Sequence, residues 1–348
     1  MISLGTFALA IALAGVLSSL VRRLPGPNAV PLPSRWHRTI TPATGGIALF
    51  GAFVLALLPA LHSGAVASRY NPVVVIAAAA FGLGLLDDTL RMPVVVKLGG
   101  QLLIAFVAAQ EGVRPDWVSP SIGIPIACAV IVASMNSINL LDNMDGLAAG
   151  TAALAALGLA LVAGLVEHAG SSVVAAALAG ACLGFLPFNF RPRRPALLFM
   201  GDSGSQLLGF TLGELALLTS PGGAGGVAAA VAAPLLILAI PAFDTGLVLL
   251  VRFGQHRPLW QGGRDHLSHR LVYTGLTERR AVSLLLAITA LCTVTAVVLV
   301  IFQNIVLTAV VSGLALVSLV AFGVRLAGVD EAVARPPGPT PRARGSVS

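Results

Sequence analysis

Aspartates interrupt this otherwise apolar sequence next to the ends of long hydrophobic runs. Asp87 and Asp88 close the run that begins at Phe81, although the negative end of a helix dipole disfavours acidic residues there. Two adjacent carboxylates also repel each other unless a cation lies close to them. The pair therefore predicts a divalent-metal site or a proton-transfer site, with an ordinary solvated helix end as the simpler alternative.

A second polar series repeats at every third residue, at Asn136, Asn139, Asp142 and Asp145. On an α-helix the series turns by about 60° per step, whereas on a 3₁₀ stretch it aligns. In both cases amides and carboxylates line one surface, which predicts a polar binding site. Helix capping or a turn would explain one or two of these residues, but not all of them.

A third segment begins at Gly201 and precedes another apolar run. Asp202, Ser203 and Ser205 are residue types that cap helix N-termini, so capping alone accounts for them. A helix N-terminus with neighbouring glycines is also suited to receive a phosphate, with Asp202 ligating the Mg²⁺ that accompanies it. We therefore predict Asp202 as a metal ligand.

The longest polar segment runs from 252 to 280 and contains two histidines flanked by two arginines. By itself a basic segment indicates only membrane topology. However, the side chains of Arg264, His266, His269 and Arg270 are suited to hold an oligophosphate through charge-assisted hydrogen bonds. A zinc site is less favoured, because no third histidine or cysteine lies close in sequence.

The composition places these polar residues in an integral membrane protein. Hydrophobic residues make up 57% of the 348 and charged residues only 10%, whereas a soluble domain has about 25% charged residues. Apolar runs of about twenty residues, the length that crosses the hydrocarbon core, recur throughout the sequence. The prediction is an all-α, polytopic protein with about ten or eleven transmembrane helices, near 2–21, 45–61, 72–86, 98–110, 121–137, 147–166, 171–186, 203–219, 227–250, 281–301 and 305–324.

The basic residues predict the orientation in the membrane. With the N-terminus outside, every Lys and Arg except Arg69 and Arg114 falls on one side, which the positive-inside rule identifies as cytoplasmic. The high sequence pI of about 10.6 therefore reflects topology, and we predict no nucleic-acid partner. We expect a membrane-embedded domain over 1–328 and a disordered basic tail over 329–348 that is attracted to membrane lipids.

The first apolar run, Ile2 to Val21, has no basic segment before it and two arginines after it. This order is the reverse of a secretory signal, so we predict a retained first helix.

Taken together, these segments resemble the polyprenyl-phosphate N-acetylhexosamine-1-phosphate transferases, the family that also contains phospho-N-acetylmuramoyl-pentapeptide translocase. The resemblance runs from about 33 to 271 and includes the paired aspartates, the asparagine and aspartate series, the segment after Gly201, and Lys97. There are two departures. Asn143 replaces a glycine of the second motif, and Ser268 interrupts a cluster in which the family often has His-x-His-His.

The resemblance implies transfer of an N-acetylhexosamine 1-phosphate, most simply GlcNAc 1-phosphate, from a UDP-sugar to an undecaprenyl or decaprenyl phosphate, with release of UMP. It further implies Mg²⁺ or Mn²⁺ dependence, a bacterial plasma membrane and a cytoplasmic active site serving cell-envelope polysaccharide assembly. A homodimer is left open.

The resemblance also implies roles for single residues. Asp202 would ligate the metal with support from Asp88, Asp87 would deprotonate or orient the lipid phosphate, and Lys97 would attract it. Phe199 would stack on uracil, and the second motif would line the same pocket.

Two other functions compete with this hypothesis. The first is the pentapeptide translocase, against which the interrupted histidine cluster counts. The second is an ion-coupled transporter, because carboxylates inside a membrane often mark ion pathways. A transporter would place its carboxylates near the membrane midplane on broken helices, whereas here they gather at one face.

Overall fold

Helices form most of the part of the chain that the computed structural model describes, residues 2–29, 40–64, 71–191, 194–219, 226–260 and 263–329. One short antiparallel strand pair accompanies them. In chain order the elements are α1 (Ile2–Val21), β1 (Asn28–Ala29), β2 (Thr41–Pro42), α2 (Gly45–His62), α3 (Asn71–Leu90), α4 (Val94–Gln110), α5 (Pro120–Leu141), α6 (Leu147–Leu165), α7 (Ala169–Asn189), α8 (Gly201–Leu218), α9 (Gly226–Ile237), α10 (Ala239–Gly254), α11 (Leu267–Tyr273), α12 (Glu278–Phe302) and α13 (Ile305–Ala327).

Among the described residues, eight helices are long and apolar enough to cross a membrane, and the bent pair α9 and α10 counts as a ninth. The other two predicted segments are also helical, namely α4 with 17 residues and the more polar α8 with 18 residues. The prediction of an all-α polytopic membrane protein is therefore confirmed. Apart from Val329, the predicted tail lies outside the described residues.

Three helices extend further toward the polar residues than the apolar runs predict. Helix α3 continues to Leu90 and therefore includes the paired aspartates, while α4 begins at Val94 and includes Lys97. Helix α5 continues to Leu141 and includes Asn139. Backbone hydrogen bonding needs no apolar side chain, so the helices pass beyond the end of each apolar run.

The predicted single helix over 227–250 is wrong, because the chain bends by 71° between α9 and α10. Pro241 lies just after the break and has no backbone N–H, so the carbonyl of Ile237 cannot receive the hydrogen bond that a continuous helix would give it. The bend redirects α10 and brings Asp244 against the segment that contains α11.

Helix α8 lies at the centre of the bundle, and every residue from Ser203 to Leu217 is buried. Helices α3 and α5 pack closely against it, and glycines permit the close approach: a Cβ on Gly84 or Gly209 would overlap the backbone of α8 or α5, respectively. This packing brings the polar ends of α3 and α5 to the N-terminus of α8.

Candidate active site

Asp88 holds the N-terminus of α8. Its two carboxylate oxygens accept backbone hydrogen bonds from Asp202 N (2.8 Å) and Ser203 N (2.9 Å). Gly201 precedes them with φ +69°, and a Cβ there would lie 2.7 Å from Asp88 Oδ2, so only glycine fits this turn. Both oxygens thus hold the first turn of α8, which supports a positioning role for Asp88, whereas its predicted support of the metal site stays a prediction.

Lys97 joins the carboxylates of α3 and α8. Its Nζ lies 2.7 Å from Asp87 Oδ2 and 2.7 Å from Asp202 Oδ2. The other oxygen of Asp87 accepts a hydrogen bond from Met92 N at 2.8 Å. Asp87 and Asp88 thus face different partners. Lys97 is the neighbouring cation that carboxylates placed close together require.

Asn139 completes the surroundings of Asp202. Its Nδ2 donates to Asp202 Oδ1 at 2.7 Å and lies 2.8 Å from Ser205 Oγ. Asp202 therefore contacts α4 through Lys97 and α5 through Asn139. A carboxylate held on both sides in this way has a defined orientation, as a metal or phosphate site requires.

Asn136 belongs to a buried amide network one helical turn away. Its Nδ2 donates to Gln101 Oε1 at 2.8 Å, and Gln101 Nε2 donates to Gln206 Oε1 at 2.8 Å. The network ties α5 to α4 and α8, below Asn139, Lys97 and Asp202. The geometry supports a positioning role for Asn136, whereas its predicted substrate contact stays a prediction.

Asp142 and Asp145 lie in the loop between α5 and α6. Asp145 Oδ2 accepts a hydrogen bond from Ala196 N at 3.2 Å, which connects this loop to the one before α8. Burial raises the pKa of Asp145 to about 6, with Glu278 adding to the effect, and the Ala196 N–H and Arg279 oppose it. A carboxylate that ionises at such a cost is typical of functional sites.

The raised pKa predicts how Asp145 affects stability. An aspartate whose pKa is raised in the folded state does not reduce the free energy of unfolding at low pH, where it is protonated in both states. It lowers that free energy progressively as the pH rises from about 4 to about 6. Asp145→Asn should therefore unfold at a higher temperature than the wild type at pH 7.5, with the difference shrinking toward pH 4.5. Thermal unfolding in detergent at both pH values measures this, and an equal difference at both would contradict it.

Asp244 holds His266 at the start of α11. Its Oδ2 lies 2.7 Å from His266 Nδ1, and its Oδ1 accepts a hydrogen bond from Leu267 N. Since a carboxylate accepts, the Nδ1 of His266 donates and the ring orientation is fixed.

A neighbouring pair, Arg252 and Asp265, forms two hydrogen bonds of 2.9 and 2.8 Å. Burial acts to raise the pKa of Asp265, but Arg252 outweighs it and holds the pKa below its usual value.

The histidine segment differs from the predicted phosphate-binding cluster in two respects. Burial, together with the neighbouring His266 and Arg264, lowers the pKa of His269 to about 3, so this ring is uncharged near neutral pH. Arg270 is only 2% exposed, and its Nη1 donates to the backbone carbonyls of Leu326, Ala327 and Val329 at the end of α13. Arg270 thus stabilises a helix terminus, while Arg264 is partly exposed before α11.

Three further residues of this region were not among the candidates selected from the sequence, namely Asp244, Arg252 and Gln206. A signal existed for Asp244, because a charged residue within an apolar run needs a buried partner. Gln206 carried a weaker signal as an amide in the first turns of a helix that is otherwise closely packed.

The cluster formed by Asp87, Lys97, Asn139 and Asp202 is suited to bind a cation and phosphate together. Its oxygen donors are carboxylates and an amide, the ligands that Mg²⁺ prefers. Among the described residues, no group of three or more His, Cys, Asp and Glu is placed to hold a metal. Mg²⁺ is commonly held by one or two carboxylates and by substrate phosphates, and this donor set fits that arrangement.

Comparisons with known proteins identify relatives of this chain. The model of glycosyl transferase family 4 matches residues 71–220. Decaprenyl-phosphate N-acetylglucosaminephosphotransferase of Mycobacterium tuberculosis is 35% identical, with 77% of this chain and 74% of the relative covered.

Two further relatives are similar to this chain. A probable undecaprenyl-phosphate N-acetylglucosaminyl 1-phosphate transferase of Bacillus subtilis is 31% identical, with 82% of this chain and 81% of the relative covered. A phospho-N-acetylmuramoyl-pentapeptide-transferase of Desulforudis audaxviator is 33% identical, with 60% of this chain and 76% of the relative covered.

Proposed function

Because the chain belongs to glycosyl transferase family 4, we propose that it transfers N-acetylglucosamine 1-phosphate from UDP-N-acetylglucosamine to a polyprenyl phosphate. An oxygen of the lipid phosphate attacks the phosphorus that carries the sugar, the bond from that phosphorus to the bridging oxygen breaks, and UMP leaves. The observation that carries the proposal is the contact of Lys97 with both Asp87 and Asp202.

The position of this cluster suits the two substrates. A UDP-sugar is a water-soluble polyanion, whereas a polyprenyl phosphate keeps its chain in the bilayer and its phosphate at the surface. Their phosphates meet only at the interface, and the cluster lies where α3, α4, α5 and α8 end or begin. We place this face on the cytoplasmic side of a bacterial plasma membrane, because the positive-inside rule puts most basic residues there.

The residues of the cluster have different roles in this reaction. Lys97 offers a positive charge to the lipid phosphate, and Asp87, on the same lysine, orients it or accepts its proton. Asp202, with Asn139 beside it, is the residue that would hold Mg²⁺, or Mn²⁺ with similar oxygen ligands. When bound, such a cation offsets the charge of the diphosphate so that an anionic phosphate can approach it.

The decisive experiment measures UMP release by the purified protein. We expect UMP when UDP-N-acetylglucosamine and undecaprenyl phosphate are both present, and none when either is omitted. UMP release only with UDP-N-acetylmuramoyl-pentapeptide would favour the translocase. No release with either nucleotide, together with ion-coupled uptake in proteoliposomes, would favour the transporter.

Phe199 provides a test of the nucleotide pocket. Its backbone is fixed, because its N–H donates to Pro42 O and its carbonyl accepts from Gly45 N, and its side chain is partly exposed. If the ring stacks on uracil, Phe199→Ala should raise the KM for the UDP-sugar about fivefold or more, in line with other base-stacking contacts. A KM within about a factor of two of the wild type would exclude the stacking role.

A further inference from the structure

Asn143 and Ser268 form a hydrogen bond between two distant parts of the chain. Ser268 Oγ donates to Asn143 Oδ1 over 2.6 Å, across 125 positions of sequence. Asn143 lies inside the 142–145 loop, and Ser268 directly precedes His269 on α11. We propose that this hydrogen bond is a positioning contact that holds α11 against the 142–145 loop and thereby sets the affinity for the UDP-sugar.

The surrounding contacts fix the direction of the bond. Asn143 Nδ2 donates to the carbonyl of Leu140 at the end of α5 over 2.7 Å, so Oδ1 faces Ser268 as an acceptor. The hydroxyl of Ser268 must therefore donate. Ser268 is 1% exposed and Asn143 is partly exposed, so the bond is shielded from water on the Ser268 side, and such shielding strengthens a hydrogen bond electrostatically.

Apolar contacts accompany the bond. Leu141, Met144 and Leu147 around the loop share one core cluster with Leu267 and Leu271 of α11. Such contacts hold the two segments together but have no preferred direction. A single directional hydrogen bond within them selects one position of α11 along the loop.

The two bonded residues are also the two positions at which the sequence departs from the motifs it resembles, where a glycine at 143 and often a histidine at 268 would be expected. The side chains of asparagine and serine together contain as many non-hydrogen atoms as one histidine side chain. Compared with a glycine at 143 and a histidine at 268, the pair present here therefore has more side-chain volume on the loop and less on α11. Changing one partner alone should leave a void or an overlap, and changing both should restore the packing.

Removing the hydroxyl tests the positioning role, which rests on the proposed function. Ser268→Ala should raise the KM for UDP-N-acetylglucosamine about fivefold or more, because Asn143 Oδ1 loses its donor and α11 loses its directional contact with the loop, while kcat stays within about twofold. Ser268→Thr keeps the hydroxyl and should restore the KM. Ser119→Ala is the matched control, because it removes an exposed serine contact with Ser121 between α4 and α5. A Ser268→Ala protein with wild-type KM would overturn the proposal.

An exchange of both partners tests whether they act as one unit. Asn143→Gly and Ser268→His should each raise the KM, and the double variant N143G/S268H should recover most of the loss. Additive losses would overturn the pairing. A wild type that releases no UMP would count against the proposed function alone, because thermal unfolding of the same four proteins still tests the pair: coupled unfolding temperatures support the contact, and additive ones overturn it.

Discussion

Asp202→Asn should abolish UMP release while the protein still folds. The asparagine keeps an oxygen toward Asn139, but it loses the charge that Lys97 contacts at 2.7 Å and that a divalent cation requires. Its backbone N–H still donates to Asp88, so α8 keeps its first turn. Loss of preorganised charge stabilisation in a phosphoryl transfer predicts a fall in kcat of about a thousandfold.

Two comparisons separate this effect from misfolding. Asp116→Asn makes the same change at an exposed position between α4 and α5, and it should leave UMP release near the wild-type rate. Excess EDTA should inhibit the wild type, with Mg²⁺ or Mn²⁺ restoring it. Full activity of Asp202→Asn, or of the wild type in EDTA, would remove Asp202 from a metal site.

Much of the fold could be predicted because the bilayer sets the length of apolar segments. Each of the eleven apolar runs is helical, since backbone groups in hydrocarbon must be satisfied within the segment. Where polar residues begin, that constraint ends, so the final turns of α3 and α5 were missed. The short α11 was missed for the same reason, because its seven residues carry no membrane-length signal.

The members of the site could be predicted better than their partners. Residue type and position next to the apolar runs were enough to select Asp87, Asn139 and Asp202 as candidates, whereas Lys97 was selected only through the family resemblance. The partners of these oxygens, however, depend on how the helices pack, and those of Asp88 on the backbone of α8 lie more than a hundred positions away. Arg270 shows the same limit, since its basic character suggested phosphate but its position places it on the carbonyls of α13.

Asp88→Asn should lower kcat about a hundredfold, the cost of a small displacement of catalytic groups. An asparagine keeps only one of the two oxygens that accept separately from the N–H groups of Asp202 and Ser203, so the present pair of hydrogen bonds cannot form. Its amide group would face the other N–H as a second donor. The variant also loses a negative charge at the positive end of the α8 dipole. The first turn of α8 should therefore shift and carry the Asp202 side chain with it.

The response to Mg²⁺ distinguishes this positioning role from metal binding. If Asp88 supported the metal, as the sequence predicts, a high Mg²⁺ concentration would restore part of the activity of Asp88→Asn by mass action. If Asp88 positions α8, the loss is in geometry, and kcat should stay low at every Mg²⁺ concentration. Titrating Mg²⁺ against UMP release in the wild type and in Asp88→Asn gives the answer, and recovery of the variant at high Mg²⁺ would return Asp88 to the metal site.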